Sequence, residues 1–222
     1  MISAVILAGG RGKRMNYHKS KQFIEIKEKP VLAYTLEKFI NNKNINEIIL
    51  ILPEDEVDYC KKEVLKKYNL NVTKIVIGGK ERQDSVYNAL EAIEKTDIVL
   101  IHDGARPFIS DRIIEEGIKY AKIYGAAAPG VTPKDTIKVK NNDNISIDTP
   151  ERNMLVAVQT PQCFKFDEIL YCHKKVKEEK VIVTDDTSVV ERYGHKVYLY
   201  EGDYTNIKIT TPEDLILAER LI

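Results

Sequence analysis

Short apolar runs alternate along this chain with longer stretches whose apolar residues recur at helical spacing. Ala4-Val5-Ile6-Leu7 has the make-up of a strand buried on both faces, and Leu32, Leu36, Phe39 and Ile40 mark one side of a helix. Ile48-Ile49-Leu50-Ile51-Leu52 predicts a second buried strand, ended by Pro53, and a charged helical stretch follows over roughly Asp55 to Tyr68. Val72 to Ile77 predicts a third strand, closed by Gly78-Gly79. Val86, Ala89, Leu90 and Ile93 mark the next helix, Ile98-Val99-Leu100-Ile101 a fourth strand, and Ile114, Ile118 and Ala121 the inner face of another helix. Continuous apolar strands separated by helices predict an α/β fold with a mostly parallel sheet covered on both faces. Its crossovers are expected to be right-handed.

One segment departs from this rhythm. Thr136 to Lys140 alternates with period two, Asn141-Asn142-Asp143-Asn144 supplies a turn, and Ile145 to Asp148 resumes the alternation. A lone two-stranded ribbon is marginal in water and needs a surface to pack on. Either its own domain or a second subunit would serve. The α/β pattern then returns: Val197-Tyr198-Leu199-Tyr200 reads as a strand, and Thr211-Pro212-Glu213-Asp214 opens a last helix with a Thr cap, a Pro at the first position and acids in the first turn. With no repeat or linker, a single domain over residues 1–222 is predicted, carrying an extruded β-arm at roughly 134–158.

Bulk properties narrow the chemistry. Lys plus Arg and Asp plus Glu each total 34, so bulk charge gives no reason to expect nucleic-acid binding. Hydrophobic residues form 43% of the chain, enough for a real core. No apolar run reaches the length of a membrane span. Cys60, Cys163 and Cys172 are scattered and odd in number, which suggests neither a disulfide framework nor a zinc site and fits the reducing cytoplasm.

Three clusters carry candidate chemistry, each directly after a strand. The first is Ala8-Gly9-Gly10-Arg11-Gly12-Lys13-Arg14-Met15. Glycines let the backbone approach a ligand closely, successive N–H groups can cradle phosphate oxygens, and the cations neutralise a polyphosphate. It is not a P-loop: Leu7 stands where that motif needs its first Gly, and Arg14 where it needs Ser or Thr. Nor is it a dinucleotide fingerprint, because Met15 replaces the last Gly. The second cluster, Gly78 to Ser85, lies between a strand and a helix, at the edge where open α/β sheets bind ligands; Ser85 and the glycine amides could read a base. The third, His102-Asp103-Gly104-Ala105-Arg106-Pro107, offers an acid for Mg²⁺ or ribose and an arginine for an anion. His102 reads as a hydrogen-bonded structural residue.

Taken together, AGGRGKRM (8–15), GGKERQDSV (78–86) and HDGARP (102–107) resemble the 2-C-methyl-D-erythritol 4-phosphate cytidylyltransferases of the non-mevalonate isoprenoid pathway. The resemblance continues through Lys134-Asp135-Thr136, Glu151-Arg152-Asn153, Gln159-Thr160-Pro161-Gln162, Thr184-Asp185-Asp186 and Asn206-Ile207-Lys208. It implies a Rossmann-like nucleotidyltransferase fold and a homodimer joined by exchanged β-arms. It also implies that Arg14 and Lys21 hold the CTP triphosphate and stabilise the transition state, and that Ala8, Gly9, Gly10, Gly12, Gly79, Lys80 and Ser85 bind CTP. Asp103, Arg106, Thr136, Arg152, Thr160, Thr184 and Lys208 would surround the acceptor, with Asp103 also the candidate ligand for Mg²⁺. Thr136 and Arg152 would reach the neighbouring subunit's acceptor phosphate. Two positions depart from the family pattern: Lys80, where relatives often carry Asp, and Ser20, where they usually carry Pro.

Direct nucleotidyl transfer is the mechanism expected, since the sequence offers no persuasive catalytic triad. A ribitol 5-phosphate cytidylyltransferase is the nearest alternative, and a non-catalytic nucleotide-binding module an alternative of another class. Gly104-Ala105 and Asp186-Thr187-Ser188 resemble the methylerythritol enzymes more closely.

Overall fold

The computed structural model describes residues 1–10 and 20–222, except for the side chain of Lys21. β1 (Ile2–Leu7) is the axis of the sheet. Two short strands, β2 (Glu25–Ile26) and β3 (Lys29–Pro30), form a separate ribbon ahead of α1 (Val31–Ile40). β4 (Glu47–Leu52) pairs in parallel with β1. The charged stretch beyond it is helical, with a 3₁₀ turn at Glu54–Glu56, α2 at Val57–Tyr59 and wider π-helical turns over Cys60–Lys66. β5 (Lys74–Ile77) pairs in parallel with β4, and α3 (Arg82–Ala92) leads to β6 (Ile98–Asp103), parallel to β1 on its other side.

The second half adds α4 (Asp111–Tyr124), β7 (Ala126–Val131), the ribbon of β8 (Val139–Lys140) and β9 (Ser146–Asp148), β10 (Ala157–Val158) and β11 (Gln162–Lys165). It closes with α5 (Phe166–Glu179), α6 (Asp186–Arg192), β12 (Val197–Glu201) and α7 (Pro212–Leu221). β11 lies antiparallel between β6 and β7, and β12 runs parallel to β7. The mostly parallel α/β sheet predicted from the sequence is therefore present, with antiparallel members at β10 and β11.

All six residues of β4 are buried, and so are all six of β6. One face packs Leu32, Leu36 and Phe39 of α1 and Ile113, Ile114 and Ile118 of α4 against Ile6, Leu50 and Leu100. The other packs Val86 and Leu90 of α3 and Ile169 and Val176 of α5 against Val5, Ile49 and Ile101. Each such aliphatic side chain contributes roughly 2 kcal/mol of transfer free energy. Helix starts follow their caps. Asp185 accepts the N–H of Ser188 at 2.9 Å to open α6, and Thr211 with Asp214 forms a capping box for α7.

The β8–β9 ribbon is shorter than the alternation predicts because its register shifts between Val139 and Lys140. Its turn is held by Asn141 Oδ1, which accepts N–H groups from Asp143 and Ile145 at 3.0 Å, while Asn144 takes a positive φ of 64°. Ile145 and Ile147 on this arm are more than 60% exposed in the single chain.

Candidate active site

β4 and β6 flank β1 on opposite sides, so the loops that leave their carboxyl ends diverge and open a crevice. A cleft of about 1040 Å³ occupies it, large enough for a nucleotide. Gly9 and Gly10 beyond β1, Pro53 to Asp55 beyond β4, Gly78 to Arg82 beyond β5, Asp103 and Ala105 at the end of β6, and Lys208 line it.

Asp103 is the electrostatic centre of this cleft. Its Oδ2 lies 2.7 Å from Lys208 Nζ and 3.8 Å from Arg106 Nε, and its Oδ1 lies 3.9 Å from Arg82 Nε. Burial alone would raise its pKa, but Lys208, Arg82 and Arg106 outweigh burial and hold the carboxyl well below the usual range. Arg82 is anchored in turn: its NH2 meets Asp186 Oδ2 at 2.7 Å, and Asp186 Oδ1 is 3.1 Å from His173 Nε2. Asp186 and His173 are both buried.

The Gly78-Gly79 loop is shaped by Ser85. Its Oγ accepts the N–H of Gly79 at 3.0 Å and donates to the carbonyl of Glu81 at 3.1 Å. A Cβ on Gly79 would come within 2.3 Å of the Asp84 Cβ, so the position requires glycine for close approach. Glu81 and Asp84 form a capping box at the start of α3, whose positive end faces the cleft beside Arg82.

Behind Asp103, Thr160 Oγ1 accepts the backbone N–H of Asp103 at 3.1 Å and contacts His102 Nδ1 at 3.1 Å. The other ring nitrogen of His102 faces the Arg106 carbonyl at 3.1 Å. A carbonyl only accepts, so the proton sits on Nε2 and Nδ1 accepts from the Thr160 hydroxyl. Burial lowers the pKa of His102 to about 4, and the ring is neutral. It is the structural residue the sequence predicts.

The late motifs are bonded to one another. Gln162 Oε1 accepts the N–H groups of Asp186 and Thr187 at 3.0 and 3.1 Å, while Gln162 Nε2 donates to Asp185 at 2.7 Å. Arg106 NH1 donates to the Asn206 carbonyl at 2.6 Å, and Asn206 Nδ2 donates to the Thr160 carbonyl at 3.0 Å. Sequence segments far apart in the chain thus form one scaffold under the cleft.

A model of the 2-C-methyl-D-erythritol 4-phosphate cytidylyltransferase family matches residues 2–222. The chain belongs to that family. Curated members include the cytidylyltransferases of Clostridium beijerinckii, 64% identical over 222 residues and covering 100% of this chain and 98% of the relative, and of Clostridium perfringens strain SM101, 63% identical over 221 residues with the same coverage. Among solved structures, the synthase from Anaerococcus prevotii aligns over 100% of this chain and 95% of that one, with a TM-score of 0.88 and 35% identity. The Thermus thermophilus cytidylyltransferase aligns over 100% and 98%, with a TM-score of 0.80 and 30% identity. This chain is a cytidylyltransferase of isoprenoid biosynthesis, and the ribitol alternative is not favoured.

For a cytidylyltransferase, the predicted residues divide into four groups. Gly9, Gly10, Gly79, Lys80, Ser85, Asp103 and Lys208 line the cleft, while Ala8 is buried at its edge, with its N–H bonded to the Ile51 carbonyl at 3.0 Å. Arg106 and Thr160 are committed to the scaffold beneath it, as are the Ser85 hydroxyl and the Gly79 amide that it holds. Thr136 and Arg152 meet each other on the arm at 3.5 Å, and exposed Thr184 faces Ser188 at 3.5 Å; none of these three lines the cleft of the single chain. Gly12, Arg14 and the Lys21 side chain lie outside the described residues. Arg82 was not singled out in the sequence, although an arginine in the first turn of a helix after a glycine pair is a usable signal.

Proposed function

We propose that the cleft transfers CMP from CTP to 2-C-methyl-D-erythritol 4-phosphate by direct in-line displacement. An acceptor phosphate oxygen forms a bond to the α-phosphorus, the bond from that phosphorus to the bridging oxygen breaks, and its electron pair leaves with pyrophosphate. The observation that carries this reading is Asp103 held ionised among Lys208, Arg82 and Arg106 at the switch point of the sheet. Such an array is suited to ordering polyanions and lacks the nucleophile–base pair that covalent catalysis needs. Burial pushes the thiol of Cys60 up to about 12 and that of Cys172 up to about 11, and drives Cys163 in the same direction. His102 is neutral and bonded on both ring nitrogens. The acceptor phosphate is already largely ionised at neutral pH, so positioning and charge stabilisation carry the step. Arg14 and Lys21 are assigned to the triphosphate.

Mg²⁺ is assigned to the triphosphate as well. Among the described residues no cluster of three His, Cys, Asp or Glu side chains could hold a metal, and Lys208 already occupies one oxygen of Asp103. These residues fit an ion carried in by CTP, with Asp103 contributing at most one carboxylate oxygen or a water-mediated contact. When bound, the ion would neutralise phosphoryl oxygens as charge accumulates.

The exposed apolar residues of the arm support a homodimer in which Thr136 and Arg152 serve the partner's cleft. Three buried free cysteines accord with a cytoplasmic location, and among the described residues no helix is long and apolar enough to cross a membrane. Pyrophosphate release measured with CTP, Mg²⁺ and a panel of polyol phosphates tests the reading. Turnover is expected with methylerythritol phosphate above ribitol 5-phosphate; CTP binding without turnover on any acceptor would favour the non-catalytic module.

A further inference from the structure

The two residues that flank Lys21 are held by one carboxylate. Glu56, in the 3₁₀ turn that follows β4, accepts a hydrogen bond from the Ser20 hydroxyl at Oε1 and from Gln22 Nε2 at Oε2, the latter at 2.8 Å. The same Gln22 amide donates its second proton to the carbonyl of Ala8 at 2.7 Å, where β1 ends and the glycine-rich segment begins. Gln22 therefore ties the end of β1 to the turn that contains Lys21, and Gln22 is itself fixed by Glu56. Lys21 begins a 3₁₀ turn in which Phe23 N–H bonds to the Ser20 carbonyl at 2.9 Å, and the Phe23 ring packs edge-on against Tyr59 at 5.0 Å. Backbone on both sides of Lys21 is thus tied to the helical segment beyond β4.

The geometry points to Glu56 as a positioning residue that fixes the stretch of backbone carrying Lys21. Three features support a role beyond packing. Both carboxylate oxygens are used, each on a different neighbour of Lys21. Gln22 is buried and spends both amide protons on this network. The Ser20 hydroxyl gives Glu56 a grip on the residue before Lys21, a restraint that a proline ring, which locks φ, would supply covalently. The inference rests on the proposed role of Lys21 in the transfer step.

The test is steady-state kinetics on the full-length protein. Glu56→Ala is expected to lower kcat on the order of tenfold or more while the KM for the acceptor changes little, as happens when a reacting group is displaced and ground-state binding is left intact. Glu56→Gln can accept from Gln22 Nε2 with its oxygen and donate its amide to the Ser20 hydroxyl, exchanging two charge-assisted bonds for two neutral ones, so its turnover should lie between those of the wild type and Glu56→Ala. Adding Ser20→Pro to Glu56→Ala should restore part of the missing kcat, a recovery that a purely packing role would not produce. Wild-type kcat in Glu56→Ala, or a deficit that Ser20→Pro leaves unmoved, overturns the assignment. Lys21→Ala, run alongside, separates the two claims. An inactive Lys21→Ala beside a fully active Glu56→Ala removes the clamp alone, whereas an active Lys21→Ala removes the assignment of Lys21.

Discussion

Thr160 Oγ1 accepts the backbone N–H of Asp103 at 3.1 Å, in a place where both residues are buried. The hydroxyl that resemblance assigns to the acceptor is thus spent on the acid at the end of β6 and on the His102 ring. Thr160→Val keeps the shape but leaves that N–H without a partner, at a cost of about 1–3 kcal/mol. Urea denaturation should show this loss, and Thr160→Ser should recover most of it. Equal stability of the Val variant and the wild type would contradict the contact.

Lys208 is the cation nearest to Asp103, yet its own side chain is partly open to the cleft. Lys208→Met should lower kcat on the order of a hundredfold, comparable to removal of one preorganised donor at a developing charge. Loss of this partner also lets the Asp103 carboxyl rise toward its ordinary value. Because Arg82 and Arg106 remain, the chain should stay folded, with a far-ultraviolet circular dichroism spectrum like that of the wild type. A Met variant with normal kcat would place the charge of Lys208 outside the reaction.

His102 makes folding sensitive to mild acid. Its pKa is lowered from 6.5 to about 4 by burial, so the unfolded chain takes up the proton first as pH falls. The neutral ring's contribution is complete above about pH 6.5 and declines between there and about pH 4, flattening below. By pH 4.5 the loss should reach roughly 2–3 kcal/mol. Unfolding free energies of wild type and His102→Gln at pH 7.5 and 4.5 isolate it: the wild type should lose more than the variant by about that amount.

How far the sequence reaches depends on which elements advertise themselves. β1, β4 and β6 are runs of β-branched and aliphatic residues buried on both faces, and all three were readable. β7 is Ala-Ala-Ala-Pro-Gly-Val, a composition with little strand propensity, and it does not announce itself as a strand. Small residues are required there: a Cβ on Gly130 would meet Val156 Cγ1 at 2.2 Å. β11 is hard to read from the sequence because only four residues, one of them glutamine and one lysine, carry it. Within the site, Asp103 is legible because it ends an apolar strand. Arg82 is only partly so: its place in the first turn of a helix after a glycine pair is a signal, but its anchor is Asp186, 104 residues further along. Ser85 and Thr160 were found as residues, but their role in bonding loop and strand backbone is a property of the folded chain.

Thr136 and Arg152 lie together on an arm whose apolar side chains face solvent in the single chain, away from the cleft. If each arm serves the partner's cleft, a complete site takes Lys21 from one subunit and Arg152 from the other. Lys21→Ala and Arg152→Ala homodimers should then both be nearly inactive. A heterodimer formed by unfolding and refolding the two together has one site with both defects and one with neither. Activity should therefore reappear on mixing, up to about half the wild-type value per heterodimer, if sites act independently. Were Arg152 to act within its own chain, every site in the mixture would carry one defect and mixing would restore nothing. Size-exclusion chromatography of Ile145→Asp with Ile147→Asp gives the companion result, because charges on the exposed face of the arm should shift the protein to monomer and remove turnover together.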